Sequence, residues 1–251
     1  MPDVDNELYE TLGDDWWAPR GPVALLQQIN PARAAYFHQA RARLIGDDRD
    51  LLAQPVQVLD VGCGGGFLAE ALARMGYAVS GIDRSPGSIA AARRHASASG
   101  LRIDYRVADA ASLPFADATF DLVVSSDFLE HVSDRLNAVL GEQARVLRRG
   151  GVLGFDTINR TWQSRVVLIW LAQHLLRVAP PRLHAYDLFV PIPQLLLCLA
   201  RHDVRVHEIQ GLVPRLHPVL FLTSYLIRHQ SGGFRIGNDH SIAYIGAGKK
   251  G

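Results

Sequence analysis

Residues Val56–Gly66 read Val-Gln-Val-Leu-Asp-Val-Gly-Cys-Gly-Gly-Gly, an apolar run that meets an acid and then opens into glycines. Val56–Leu59 has the length and composition of a buried central strand, and the apolar-periodic segment Phe67–Met75 reads as the helix that follows. Glycines at 62, 64, 65 and 66 permit positive φ and let a ligand approach the backbone, while a helix start offers unpaired N–H groups. A strand, a glycine turn and a helix make a pocket at a strand's carboxyl end.

The spacing excludes two nucleotide loops. In G-x-G-x-x-G the third glycine would fall on Phe67, and no Gly-Lys-Ser/Thr follows to cradle a phosphate. What stands is D-x-G-x-G-x-G, which resembles the first motif of class I S-adenosylmethionine-dependent methyltransferases. The resemblance implies an α/β fold: a Rossmann-like, seven-stranded, mostly parallel sheet with helices on both faces. It also implies that Asp60, Gly62 and Gly64 bind a cofactor that carries a cation. Without the resemblance, the same stretch reads as a glycine-rich βα turn with Asp60 as a helix cap.

Further strands follow. Ala78–Asp83 ends in an acid 21 residues after Gly62, close to the roughly 20 that place a carboxylate on ribose hydroxyls. That spacing serves NAD and S-adenosylmethionine alike, and Asp83-Arg84-Ser85-Pro86 is equally the start of a helix. Arg84 joins Asp83 as a candidate cofactor contact. Ile103–Val107 leads into Ala108-Asp109-Ala110, where the resemblance puts Asp109 and Ala110 beside the adenine. Phe120–Ser125 forms the next strand and ends at Ser126. Ligands of open α/β sheets sit beyond the carboxyl ends of the strands, so Asp60, Asp83, Asp109 and Ser126 should share one crevice.

The segment Ser126-Asp127-Phe128-Leu129-Glu130-His131-Val132 is the other informative cluster. On a helical turn, Asp127, Glu130 and His131 share one side. Two carboxylates and an imidazole beside a cofactor can hold Mg²⁺ or Mn²⁺, or Zn²⁺ if the imidazole dominates. Alternatively, Glu130 and His131 orient one another and cap the next helix.

With 251 residues, 48% of them apolar, the chain can bury a sizeable core. A net charge of +1 gives no field that recruits nucleic acid, and two cysteines, Cys63 and Cys198, fit a reducing cytoplasm better than a disulfide scaffold. The organisation expected is a helical cap over 1–50, a cofactor-binding core over 51–160, an apolar helical insertion over 161–202, and C-terminal strands with an apolar insert over 203–251. In the cap, Pro31 should end one helix and Arg33 begin another near the pocket. Gly46–Asp50 reads as a loop. Trp162–Val178 is too short to span a membrane and reads as an in-plane helix on a membrane's inner face. The alternative is packing in a core or between two copies of the chain, as a homodimer. Val204–Ile209 and Ile242–Ile245 read as an antiparallel pair, and Val219–Ile227 could line an acyl or prenyl pocket.

Taken together, Trp16-Trp17, Ile29-Asn30-Pro31-Ala32-Arg33, the glycine turn, Leu129-Glu130-His131-Val132 and Asp156-Thr157-Ile158-Asn159-Arg160 resemble the ubiquinone-biosynthesis O-methyltransferases. That resemblance implies S-adenosylmethionine contacts at Arg33, Gly62, Asp83 and Ser126, with Arg33 pairing the cofactor carboxylate. It turns the family's metal triplet into Asp127, Glu130 and His131, and implies a lipophilic catechol or phenol as acceptor. His131, Glu130 and His184 are the candidate catalytic groups, with the two histidines as bases if no metal binds. Other readings are a C-methyltransferase, a nicotinamide-dependent oxidoreductase and a non-catalytic membrane-associated scaffold.

Overall fold

The computed structural model describes residues 7–45, 55–175 and 185–251. The Gly46–Asp50 loop and His184 lie outside the described residues. The strands are β1 (Gln57–Val61), β2 (Ala78–Asp83), β3 (Asp104–Val107), β4 (Phe120–Ser126), β5 (Leu147–Ile158), β6 (Val204–Pro214), β7 (Phe234–Gly237) and β8 (Ala243–Lys250). They form one sheet in the order β3-β2-β1-β4-β5-β8-β6-β7. The five strands through β5 pair in parallel and the last three antiparallel. The sheet thus has eight strands where seven were expected. The extra one, β7, pairs with the far end of β6, which runs on past Ile209 to Pro214.

The helices are α1 (Glu7–Thr11), α2 (Ala24–Ile45), α3 (Phe67–Arg74), α4 (Pro86–Ala98), α5 (Leu136–Val146), α6 (Trp162–Ser164), α7 (Ile192–Arg201) and α8 (Pro218–Arg228). A π-helix over Arg165–Leu175 continues α6. Alternation along the strands divides the core. Leu59 and Val61 pack on one face with Val139, Leu140, Leu195 and Leu199 of α5 and α7. Val58 packs on the other with Phe37, Leu72 and Ile89 of α2, α3 and α4.

Two local expectations fail for physical reasons. Pro31 does not break α2, which runs unbroken through it. An interior proline costs about 3 kcal/mol, but the flanking residues are anchored. Asn30 Nδ2 donates to the Phe67 carbonyl at 2.8 Å, and Arg33 is held by two carboxylates. After β4, no α-helical turn forms at Ser126. Asp127 takes a left-handed φ of 47°, and a 3₁₀ helix begins only at Leu129.

Strand order reverses between β1 and β4: β2 and β3 lie to one side of β1, and β4 and β5 to the other. That switch point is where the carboxyl ends of the strands leave a crevice.

Candidate active site

A cleft of about 480 Å³ occupies the switch point. Asp60, Gly62, Gly64, Asp83 and Arg84 line one part of it; Asp109, Ala110, Ser126, Asp127 and His131 line another, with Arg33 of α2 beside them. Glu130 is the expected site residue of the described chain that does not line it.

The glycine turn is shaped by close contacts. Gly62 has φ of +74°, and a Cβ there would meet the Phe128 ring at 2.3 Å. Gly62 N–H donates to the Ile82 carbonyl at 2.8 Å, tying the turn to β2. Asp83, at the end of β2, accepts from Gly64 N–H at 3.0 Å and from Ser85 N–H at 2.8 Å. Burial raises its pKa even so. Asp60 is buried, and its Oδ2 has no hydrogen-bond partner among the described residues. Burial, reinforced by Asp83 and Asp156, pushes its pKa up to about 7 against the hydrogen bond from the Ala69 backbone. A buried, orphaned carboxylate oxygen beside a cleft favours a ligand that brings a cation or a donor. This donor set fits S-adenosylmethionine.

Beyond β3, Arg135 holds Asp109 at 2.9 Å, and Ala111 N–H donates to it at 2.9 Å. The guanidinium first, then this amide, keep the Asp109 carboxyl below its ordinary pKa, so it stays ionised.

At the other end stands a charged network. Arg33 Nη2 lies 2.5 Å from Asp127 and 2.8 Å from Asp156, and the Ser126 hydroxyl donates to Asp156. Burial alone would lower the Arg33 pKa, but Asp127 and Asp156 outweigh it and raise it. Glu130 is buried and accepts from Thr157 Oγ1 at 2.6 Å. Burial, then the nearby Asp127 charge, raises its pKa.

The expected metal triplet is therefore not assembled. Among the described residues no group of three or more His, Cys, Asp or Glu side chains could hold a metal ion. The cause is local. The left-handed backbone at Asp127 breaks the helical face the three were to share, Arg33 claims Asp127, and Thr157 claims Glu130. His131 alone of the two expected bases falls in the described chain, and its ring lies 5.7 Å from Tyr9 in an edge arrangement.

Sequence reasoning missed the roof. Tyr9, Glu10 and Trp16 line the cleft, although sequence reasoning assigned none of them a site role and named only Trp16, within the Trp16-Trp17 motif. A Cβ on Gly64 would meet Trp16 at 2.6 Å, and Trp17 Nε1 donates to the Gly65 carbonyl at 2.9 Å. Arg135, the partner of Asp109, carries no local signal at all.

A methyltransferase-domain family matches residues 59–155. A ubiquinone biosynthesis O-methyltransferase of Methylocella silvestris is 36% identical over 253 aligned positions, which cover 98% of this chain and 93% of the relative. The enzyme of the same name from Azorhizobium caulinodans is 35% identical over 82% of this chain and 81% of its own. Among solved structures, magnesium protoporphyrin IX methyltransferase of Synechocystis PCC 6803 with bound SAH superposes with a TM-score of 0.62. At 17% identity, covering 98% of this chain and 97% of that one, it is a likeness of fold. The orphaned acid, the glycine turn and these relatives agree: the chain belongs to the ubiquinone biosynthesis O-methyltransferase family and is an S-adenosylmethionine-dependent methyltransferase of class I.

Proposed function

We propose that the enzyme methylates a phenolic oxygen of a lipophilic catechol or phenol, with His131 as the base. The observation that carries this reading is that His131 is the one imidazole lining the cofactor cleft among the described residues. When bound, S-adenosylmethionine supplies a methyl group already activated on a sulfonium. The protein's part is then alignment and an ionised acceptor.

In this scheme Gly62 and Gly64 give the adenosine close access to the backbone, Asp83 and Arg84 face the ribose, and Asp109 and Ala110 face the adenine. Asp60, Arg33 and Ser126 serve the amino-acid end. His131 takes the phenol proton at a ring nitrogen. Glu130 is a poor candidate for that task, since burial keeps its carboxyl protonated toward neutral pH and Thr157 already occupies it. Because Asp127, Glu130 and His131 do not converge, no step is routed through a metal. The names of the relatives support an acceptor of quinone-precursor type.

The test is labelled-methyl transfer to catechols and phenols with short and long tails, with and without chelator. Turnover that prefers long tails and survives chelation is expected. Turnover that stops on chelation and returns with Mg²⁺ would replace His131 by a metal in the scheme, and methyl label on ring carbon would make the enzyme a C-methyltransferase.

A lipophilic acceptor calls for contact with a membrane, here at its cytoplasmic face. No helix of the described residues is long and apolar enough to cross one. The features that favour surface contact are Trp162 and Trp170, 70% and 63% exposed on α6 and its π-helical continuation, and Ile227, 77% exposed on α8. Exposed tryptophans suit the boundary between headgroups and acyl chains. Trp170→Glu is expected to reduce co-flotation with anionic liposomes. Equal flotation of the variant and the wild type, with sedimentation of the wild type as a dimer, would assign this face to a second copy instead.

A further inference from the structure

The N-terminal aromatic roof is absorbed by neither the fold nor the proposed chemistry. Trp16, Leu12 and Val23 pack with Phe67 and Ala91 in a small cluster apart from the two main cores, and Tyr9 packs against it. Tyr9 stacks on Trp16 with ring centroids 5.7 Å apart and planes at 23°, while Trp16 lies against Gly64 and Gly65. Tyr9 also meets the His131 ring at 5.7 Å and 90°. The pair thus reaches from the glycine turn to His131. Tyr9 is secured from outside the cleft, where Ser88 Oγ donates to its carbonyl at 3.0 Å.

We infer that Tyr9 is a cofactor-positioning residue whose ring recognises the sulfonium of S-adenosylmethionine. The inference rests on the methyltransferase reading and on His131 marking the acceptor. Methyl transfer needs the sulfur between the glycine turn, which holds the adenosine, and the acceptor oxygen beside the base. Tyr9, with Trp16 and Phe128, is among the aromatic side chains that line the cleft, and its ring contacts both Trp16 and His131. A sulfonium in a water-poor cleft needs negative potential around it, and an aromatic face supplies this without a second charge. Asp127, Glu130 and Asp83 lie near enough to Tyr9 to disfavour its ionisation after burial has done so, which keeps the ring a neutral phenol within an acidic surround. The product thioether is uncharged, so the attraction disappears once the methyl has left. Tyr9 therefore favours substrate cofactor over spent cofactor.

Calorimetry with S-adenosylmethionine and S-adenosylhomocysteine tests this on the wild type, Tyr9→Phe and Tyr9→Leu. Tyr9→Leu is expected to weaken S-adenosylmethionine roughly 3- to 30-fold more than it weakens S-adenosylhomocysteine, because the ring bulk lost is common to both ligands and cancels in the ratio. Tyr9→Phe, which retains the ring face, should preserve the wild-type ratio. Equal weakening of both ligands, or no weakening of either, would overturn the inference and leave Tyr9 a passive wall. A wild type that binds neither ligand would sink the cofactor reading, and this inference with it.

Discussion

His131→Ala is expected to lower kcat by about 10²- to 10⁴-fold, the range for loss of a positioned general base. Binding of S-adenosylmethionine should stay within a few-fold of wild type. The size follows from the acceptor: a free phenol has a pKa near 10, so at neutral pH only about one molecule in a thousand is ionised without help. Two features keep a neighbour from taking the place of His131. Glu130 is turned into the protein against Thr157, and Asp127 is paired with Arg33. The variant's residual rate should climb as pH rises from 7 to 10, because solvent then ionises the phenol, whereas the wild type should level off. Initial rates over that range, with calorimetry for the cofactor, provide the check. A variant with near-wild-type kcat at neutral pH would remove His131 from the chemistry.

Arg33→Leu should have the second large effect, on stability and binding together. The guanidinium is buried between Asp127 at 2.5 Å and Asp156 at 2.8 Å, so its removal leaves carboxylates without their counter-charge. Breaking a buried pair from one side costs about 3 to 5 kcal/mol. Arg33→Lys should recover only part of this: both acids meet the single nitrogen Nη2, and the shorter lysine stem does not carry its ammonium to that point without a shift of the helix. The deficit should depend on pH. Burial already holds Asp156 above its ordinary pKa, and removing Arg33 takes away the strongest opposing influence. A carboxyl whose folded-state pKa exceeds its unfolded value of about 4 favours folding while protonated and loses that contribution as pH rises through the folded pKa. Denaturant melts should therefore show a smaller difference between Arg33→Leu and wild type at pH 5 than at pH 8. A difference independent of pH would mean the carboxylates are not what the arginine stabilises.

These two residues also mark what the chain order conveys and what it does not. His131 and Arg33 were both placed near the cofactor by their motifs, and both line the cleft. Their partners were not legible. Arg33 was expected to meet a ligand's carboxylate; within the chain it is paired with Asp127 and Asp156, which are 94 and 123 residues away in sequence. No local pattern encodes an ion pair across such separations. The metal triplet is not assembled because Asp127 is left-handed, where the i, i+3, i+4 rule of a helix does not hold, and because Arg33 and Thr157 engage its two carboxylates.

The sequence by itself determined the strand, glycine turn and helix, the acids that end successive strands, and hence the parallel sheet with its crevice. Periodicity and glycine placement are local, and the backbone reads them directly. The tertiary structure decided the rest. It paired Asp109 with Arg135, carried the aromatics of residues 9–16 over the glycine turn, and ran α2 straight through Pro31 because both flanking residues are anchored. It also left an acid at the end of β1 buried with one oxygen unmatched. Each of these depends on which distant side chains meet when the layers close, and on the loss of water around them, which no window of sequence contains.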